Sequence, residues 1–224
     1  ASVGFFLEKY PVQAMRPGDV YVTNDPWLGT GHLHDFTMVT PAFFQGKVIG
    51  LFASTTHVVD IGGIGFGADG RQVYDEGLCL PILALARQGV MDEAILEIVR
   101  ANVREPIQVE GDLYSLMACN EIGCRRLVEM MDEFELEDLD ELGAYMVEHS
   151  HRAMLDEIAK LPKGTYHNEM RIDGFDTPID LVAALTIADD GIHVDFDGTS
   201  GVSNKGINVP ITYTQAYASF GVRC

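Results

Sequence analysis

Residues 29–63 read GTGHLHDFTMVTPAFFQGKVIGLFASTTHVVDIGG, and how this stretch folds decides where the chemistry of the chain can sit. Asp35–Phe44 and Lys47–Ala53 are rich in Val, Ile, Phe and Thr, side chains that suit the pleated surface of a strand. Gln45-Gly46 between them is a tight-turn pair, because glycine reaches positive φ without a Cβ clash. The spacing therefore predicts a β-hairpin. Folding about that turn pairs residues whose numbers sum to about 91, which sets His57 opposite His34 with His32 and Asp35 close by. Imidazole and carboxylate donors suit a divalent transition ion such as Mn, Zn or Fe and leave coordination positions open for water or substrate. A regular ladder alternates faces, however, and would put the three histidines on one side and Asp35 on the other. A bulge, or a loop running up to Asp35, is needed to bring the carboxylate round. Two readings stay open: a metal centre, or polar residues at a strand end that cap turns and bond to backbone.

Outward from the hairpin, residues 1–28 read as strand and loop, with Val20–Thr23 β-prone, Asn24-Asp25-Pro26 a turn signal and Trp27 a core anchor. Gly62–Gly70, GGIGFGADG, is a turning loop. Its Gly65–Gly70 part fits GxGxxG, but no amphipathic helix opens behind it to receive a phosphate, and GxxxxGK[ST] is absent from the sequence. The chain should therefore bind no nucleotide itself. Glu76 is either an acid/base group or a surface carboxylate. Leu78–Ala86 is a strand candidate. Helices are expected over Met91–Val103, which Pro106 should end, over Glu110–Phe134 and over Leu139–Leu161, from apolar residues recurring at helical spacing. Gly164–Ile172, Ile179–Ala188 and Ile192–Phe196 are strand candidates. Asp195–Pro210 is a polar, glycine-rich loop that could hold an oxyanion, though turn chemistry accounts for it as well. The expected class is α+β: a mixed β-sheet and hairpin region over residues 1–90 that carries the site, a helical segment over 91–161, and a second, truncated β region over 162–224, all parts of one larger fold.

Composition narrows the function. With 15 basic and 34 acidic residues the formal charge is −19, which opposes binding to nucleic acid or an anionic membrane. The run from Glu129 to Glu141 holds acids and no bases. Cys79, Cys119, Cys124 and Cys224 show no CxxC or secreted-framework spacing, so a reducing cytoplasm is expected. The opening ASVGFFLEKYPVQAM lacks the basic and apolar regions of a signal peptide, and no apolar run reaches the roughly 20 residues of a membrane helix.

The fragments GDVYVTNDPWLGTGHLHDFTMVTP, THVVDIGG, EGLCLPIL, ANVREP, EGDLYS, LPKGTY and DFDGTSGVSNKGIN, in this order and spacing, resemble the hydantoinase B / 5-oxoprolinase family, which includes N-methylhydantoinase B-type subunits and the alpha subunits of acetone and acetophenone carboxylases. Members of that family are longer than this chain, so the resemblance implies a piece of a larger polypeptide that is inactive alone. It also implies a metal held by a histidine, an aspartate three residues on, and a later histidine, a pattern that falls on His32, Asp35 and His57. Many relatives carry a second histidine after the last of these, where this chain has Val58. The family resemblance further implies a hydantoinase A-type partner subunit that binds ATP and activates a small-molecule substrate in a hetero-oligomer. The present chain would then be the metal-bearing subunit of a cyclic-amide hydrolase of hydantoin or 5-oxoproline type, the alpha-type subunit of a ketone carboxylase, or a non-catalytic scaffold for the partner. Asp60 is a candidate to orient a ligand imidazole from behind.

Overall fold

A computed structural model describes residues 2–224. These form two compact units, one made of the chain up to Asp138 together with Gly206–Ala216, the other of Leu139–Lys205 with Tyr217–Cys224. The class is α+β: a five-stranded sheet, a helical middle and a second sheet of three strands.

In the first unit the sheet has the order β3-β2-β1-β4-β5, from β1 (Val20–Thr23), β2 (Asp35–Phe44), β3 (Lys47–His57), β4 (Leu83–Arg87) and β5 (Val90–Met91), every neighbouring pair antiparallel. Gln45 and Gly46 both take positive φ, 48° and 81°, as the mirror-image turn of a tight hairpin requires. β2 is apolar on both faces because both are covered. On one face Val22, Phe36, Met38 and Leu85 pack in a common core with Val99 of α3 (Glu93–Asn102) and with Val109, Leu113 and Leu116 of α4 (Pro106–Glu133). On the other face Tyr21 and Val39 pack with Phe6 of α1 (Ser2–Lys9) and Met15.

Three sequence expectations are corrected here. The first residues described are not strand and loop but helix α1, whose wholly buried Phe6 packs with Tyr21 and Val39. Pro106 does not close a helix but opens one: it stands at the first position of α4, where its missing N–H costs nothing. The strand expected from Leu78 begins only at Leu83. A one-turn helix, α2 (Val73–Glu76), lies between the glycine loop and that strand.

The second unit holds α5 (Asp140–Ile158) and the antiparallel sheet β6-β7-β8, from Gly164–Ile172, Ile179–Ile187 and Ile192–Asp195. Helix α6 (Ile211–Arg223) begins in the first unit, which it accompanies through Ala216. Among the described residues no helix is long and apolar enough to cross a membrane.

Candidate metal centre

The hairpin carries its register in two parts. Next to the turn, Phe44 faces Lys47 and Phe43 faces Val48, the pairing expected from the turn itself. Between Ala42 and Phe43 the register shifts, so that Ala42 faces Gly50 and Ile49 is the extra residue of a bulge. From there outward every partner is displaced by one, and at the open end Asp35, not His34, lies opposite His57. Directly opposed residues share a face. The bulge that the chemistry required is thus present, but at the turn end of the ladder rather than beside Asp35.

This register joins Asp35 Oδ1 to the His57 Nδ1–H at 2.7 Å. The other oxygen, Oδ2, accepts the Thr30 hydroxyl at 2.6 Å and lies 3.9 Å from His32 Nδ1. One donor atom each from His32, Asp35 and His57 falls within 4.8 Å of the others. The His32 and His57 side chains are about half exposed (51% and 45%), so the cluster opens to solution. Two imidazole nitrogens and a carboxylate oxygen form a donor set that fits a divalent ion of the borderline class, with positions to spare.

His32 precedes the strand and needs separate support. The loop that bears it is pinned by Asn24, a fully buried side chain whose amide donates to the carbonyls of Leu33 (2.8 Å) and Leu78 (2.7 Å) and whose oxygen accepts from the Leu80 N–H (2.6 Å). Gly31, at φ 104°, leaves room that a Cβ would close, since such an atom would lie 2.8 Å from the Tyr213 ring. Tyr213, at the start of α6, stacks on His32 with ring centres 5.8 Å apart. The three candidate donors that the family resemblance singled out are brought together here, while sequence reasoning missed Asn24, Thr30 and Tyr213 beside them; the Asn24-Asp25-Pro26 turn signal was the available clue to the first, and nothing local marks the other two.

His34 lies beside the cluster rather than in it. Its ring is 5% exposed and stacks on His57 at 5.1 Å, nearly parallel. Burial, followed by the neighbouring His57, pushes its pKa below the usual imidazole value. Asp60 is also buried, and its oxygens accept from the backbone N–H and the guanidinium of Arg104, with Nε at 2.9 Å. These bonds hold its carboxyl below the usual carboxylate range, against the opposing effect of burial. The carboxylate thus serves Arg104, which also donates to the Gly62 carbonyl at 2.8 Å, and its hydrogen bonds do not reach an imidazole. Val58, which follows His57, is wholly buried in the core.

Glu76 is half-buried, and burial pushes its pKa up while His32 opposes the shift. Its segment is tied to the strand exit by Leu78 N–H to the Ile61 carbonyl (2.8 Å) and Ile64 N–H to the Asp75 carbonyl (3.0 Å). Trp27, expected in the core, is 55% exposed instead. In the Asp195–Pro210 loop, Thr199 Oγ1 bonds both the N–H and the carbonyl of Val182, and Ser200 bonds Asp180 through backbone and side chain. Those hydroxyls are thus engaged with the backbone of β7 rather than with a local turn.

The family model for hydantoinase B/oxoprolinase matches residues 1–224. The chain belongs to this family. A Pseudomonas sp. (strain NS671) protein assigned as the B-type subunit of a D-/L-hydantoinase is 33% identical over 209 residues, which cover 88% of this chain and 35% of that protein. The beta subunit of the Pseudomonas jessenii caprolactamase is 28% identical over 166 residues, 73% of this chain and 28% of that one. The chain therefore spans about a third of the length of these two relatives. The crystal structure of the ATP-dependent caprolactamase from Pseudomonas jessenii superposes with a TM-score of 0.88 at 24% identity, covering 99% of this chain and 39% of that one. A nucleotide-free structure of acetone carboxylase superposes at 0.81 and 20% identity, covering 97% and 31%. At such identities the hydantoinase B family and these structures share a fold, and the substrate is a separate question.

Proposed function

We propose that this chain is the metal-bearing part of an ATP-dependent cyclic-amide hydrolase of hydantoin or 5-oxoproline type, acting on an intermediate that a hydantoinase A-type partner has activated with ATP. The observation that carries this reading is the convergence of His32, Asp35 and His57, one donor atom each within 4.8 Å, on an open face of the hairpin. The likeness to a hydantoinase B-type protein and to the beta chain of a caprolactamase supports the amide substrate and the hetero-oligomer. The ion is divalent: Mn, Zn or Fe. Bound there, it would supply Lewis acidity and lower the pKa of a bound water.

The chain's own residues hold the donors in place for that ion. Thr30 occupies one oxygen of Asp35 and so fixes the rotation of the carboxylate. Tyr213 limits the swing of the His32 ring. Asp60 acts at one remove: through Arg104 it fixes the 60–63 backbone that follows His57. Burial shifts the pKa of the half-buried Glu76 upward, which makes it a candidate for an acid/base role on this unit.

A second reading, the equivalent alpha-type subunit of a ketone carboxylase, is favoured by the fold shared with acetone carboxylase. In the third, the chain is a scaffold for the ATP-using partner. The deciding measurement is ATP consumption by the full-length protein with its partner. Consumption driven by a hydantoin or 5-oxoproline without bicarbonate is expected; dependence on bicarbonate and a ketone would establish the second reading. Elemental analysis of wild type and His57→Ala separates both from a scaffold, which would hold no stoichiometric metal in either.

A further inference from the structure

We infer that Phe66 is the specificity-determining wall of this centre, packing on the hydrocarbon edge of a ring-shaped amide whose polar group is held at the histidine–aspartate cluster. The inference rests on the hydrolase reading for the identity of the ring, and on geometry for the role of Phe66.

Phe66 lies in the glycine loop that follows β3. The loop is fastened at its base: a Cβ on Gly62 would meet the Asn102 carbonyl oxygen at 2.2 Å, and one on Gly63 would meet the Glu76 backbone at 2.4 Å. Beyond Phe66 it is fastened again, by the Gly206 N–H on the Ala68 carbonyl at 2.9 Å. Between these anchors Gly65 and Gly67, the two neighbours of Phe66, have no atom within 4 Å of where a Cβ would stand. The two ends of the loop are therefore held in place while the stretch between them, which bears Phe66, is unpacked at its glycines.

The Phe66 ring belongs to neither apolar core, and it is 74% exposed. An exposed phenylalanine by itself signifies little. This one presents itself to all three imidazoles nearly perpendicularly, with ring centres at 5.3 Å from His34, 5.3 Å from His57 and 6.4 Å from His32. Edge-to-face contact is a favoured arrangement of such rings. It sets an apolar surface, most of it open to solution, at the rim of a polar donor cluster. The combination matches a ligand with one polar end and one hydrocarbon end. A lactam or a 5-oxoproline-type ring, with its carbonyl and its run of methylenes on opposite edges, has that chemistry; a substrate charged all round does not.

The test uses the full-length, metal-loaded protein with its ATP-using partner and the unsubstituted five-, six- and seven-membered lactams as probes. In wild type, kcat/KM should climb with ring size, by roughly fourfold per methylene that reaches the wall. Phe66→Ala should flatten that dependence, mainly through KM, and Phe66→Leu should restore part of it. Metal content measured by elemental analysis should be equal in all three proteins. The lactam-induced rise in Tm, read without turnover, should show the same trend in wild type and lose it in Phe66→Ala. Retention of the wild-type ring-size trend by Phe66→Ala, or loss of its metal, would overturn the inference. A wild type that consumes no ATP with any lactam counts against the hydrolase reading alone. In that event the Tm shifts judge Phe66: a trend abolished in Phe66→Ala upholds the wall, and shifts that are equal in the two proteins, or absent from wild type, remove it.

Discussion

Asp35 has two carboxylate oxygens, and in the structure one is bonded to His57 and the other to Thr30. The division explains why a residue that no motif marks should matter to metal affinity. Thr30→Val keeps the shape of the side chain and removes the hydroxyl, freeing the carboxylate to rotate. Competition against a chelator is expected to show affinity weakened by about tenfold, the low end of what loss of such a supporting hydrogen bond costs. His57→Ala and Asp35→Ala should abolish stoichiometric metal outright. Asp60 makes a different kind of prediction, because its carboxyl is held below its unfolded value by Arg104. Stability from this pairing is whole above the unfolded pKa of about 3.9 and is lost as pH falls through the lower folded value. In Asp60→Asn, therefore, Tm should drop at neutral pH. The acid limb of its Tm–pH profile, below about pH 4, should be flatter than in wild type. Unchanged metal content and turnover in the same variant would remove Asp60 from the chemistry.

At the scale of elements, the hairpin works because one residue of β3 is surplus. Ile49 converts a ladder that would face His34 to His57 into one that faces Asp35 to His57, so the bulge sets which carboxylate and imidazole meet in the candidate centre. Helix α4 then clamps the same two strands. Asn120 on this helix donates to the Met38 carbonyl and to Thr40, and Gly123 lies flat on the Phe52 ring, where a Cβ would come within 2.4 Å. Gly123→Ala gains helix propensity but must push that ring or the helix aside. It is expected to cost about 1–3 kcal/mol in urea unfolding, and Phe52→Leu in the same background should recover part of the loss. The strands and the long helices were legible in the sequence because their periodicities are strong and the Gln45-Gly46 turn has its own chemistry. α1 was not, since the burial of Phe6 against Tyr21 and Val39 is a packing outcome that no local period announces. Pro106 misled because proline ends one helix and begins the next with equal ease, and only the position of the following turn decides between the two.

For the molecule as a whole, every proposed donor and every support named for it lies in the unit formed by the chain up to Asp138 and Gly206–Ala216. Metal binding should therefore stabilise that unit, by about 2.7 kcal/mol at a hundredfold excess over Kd. Hydrogen exchange with and without metal is expected to show slower exchange in β2 and β3 and unchanged exchange over β6–β8; equal protection in both sheets would contradict this. The whole-molecule view also divides what sequence and structure each contribute. Family membership, the α+β class and the hairpin were readable along the chain, because they depend on residue type, local period and a motif whose parts keep fixed spacing; His32, Asp35 and His57 came forward as candidate donors only through the family resemblance, since spacing alone favoured His34 as the residue opposite His57. Which residue faces His57, why Thr30 and Tyr213 belong to the site, and that Phe66 stands over three imidazoles were not readable there. Those facts turn on a one-residue bulge and on contacts between segments far apart in sequence, and such contacts exist only after the chain has closed on itself, when packing rather than local preference chooses among registers that neighbouring residues alone leave nearly equal.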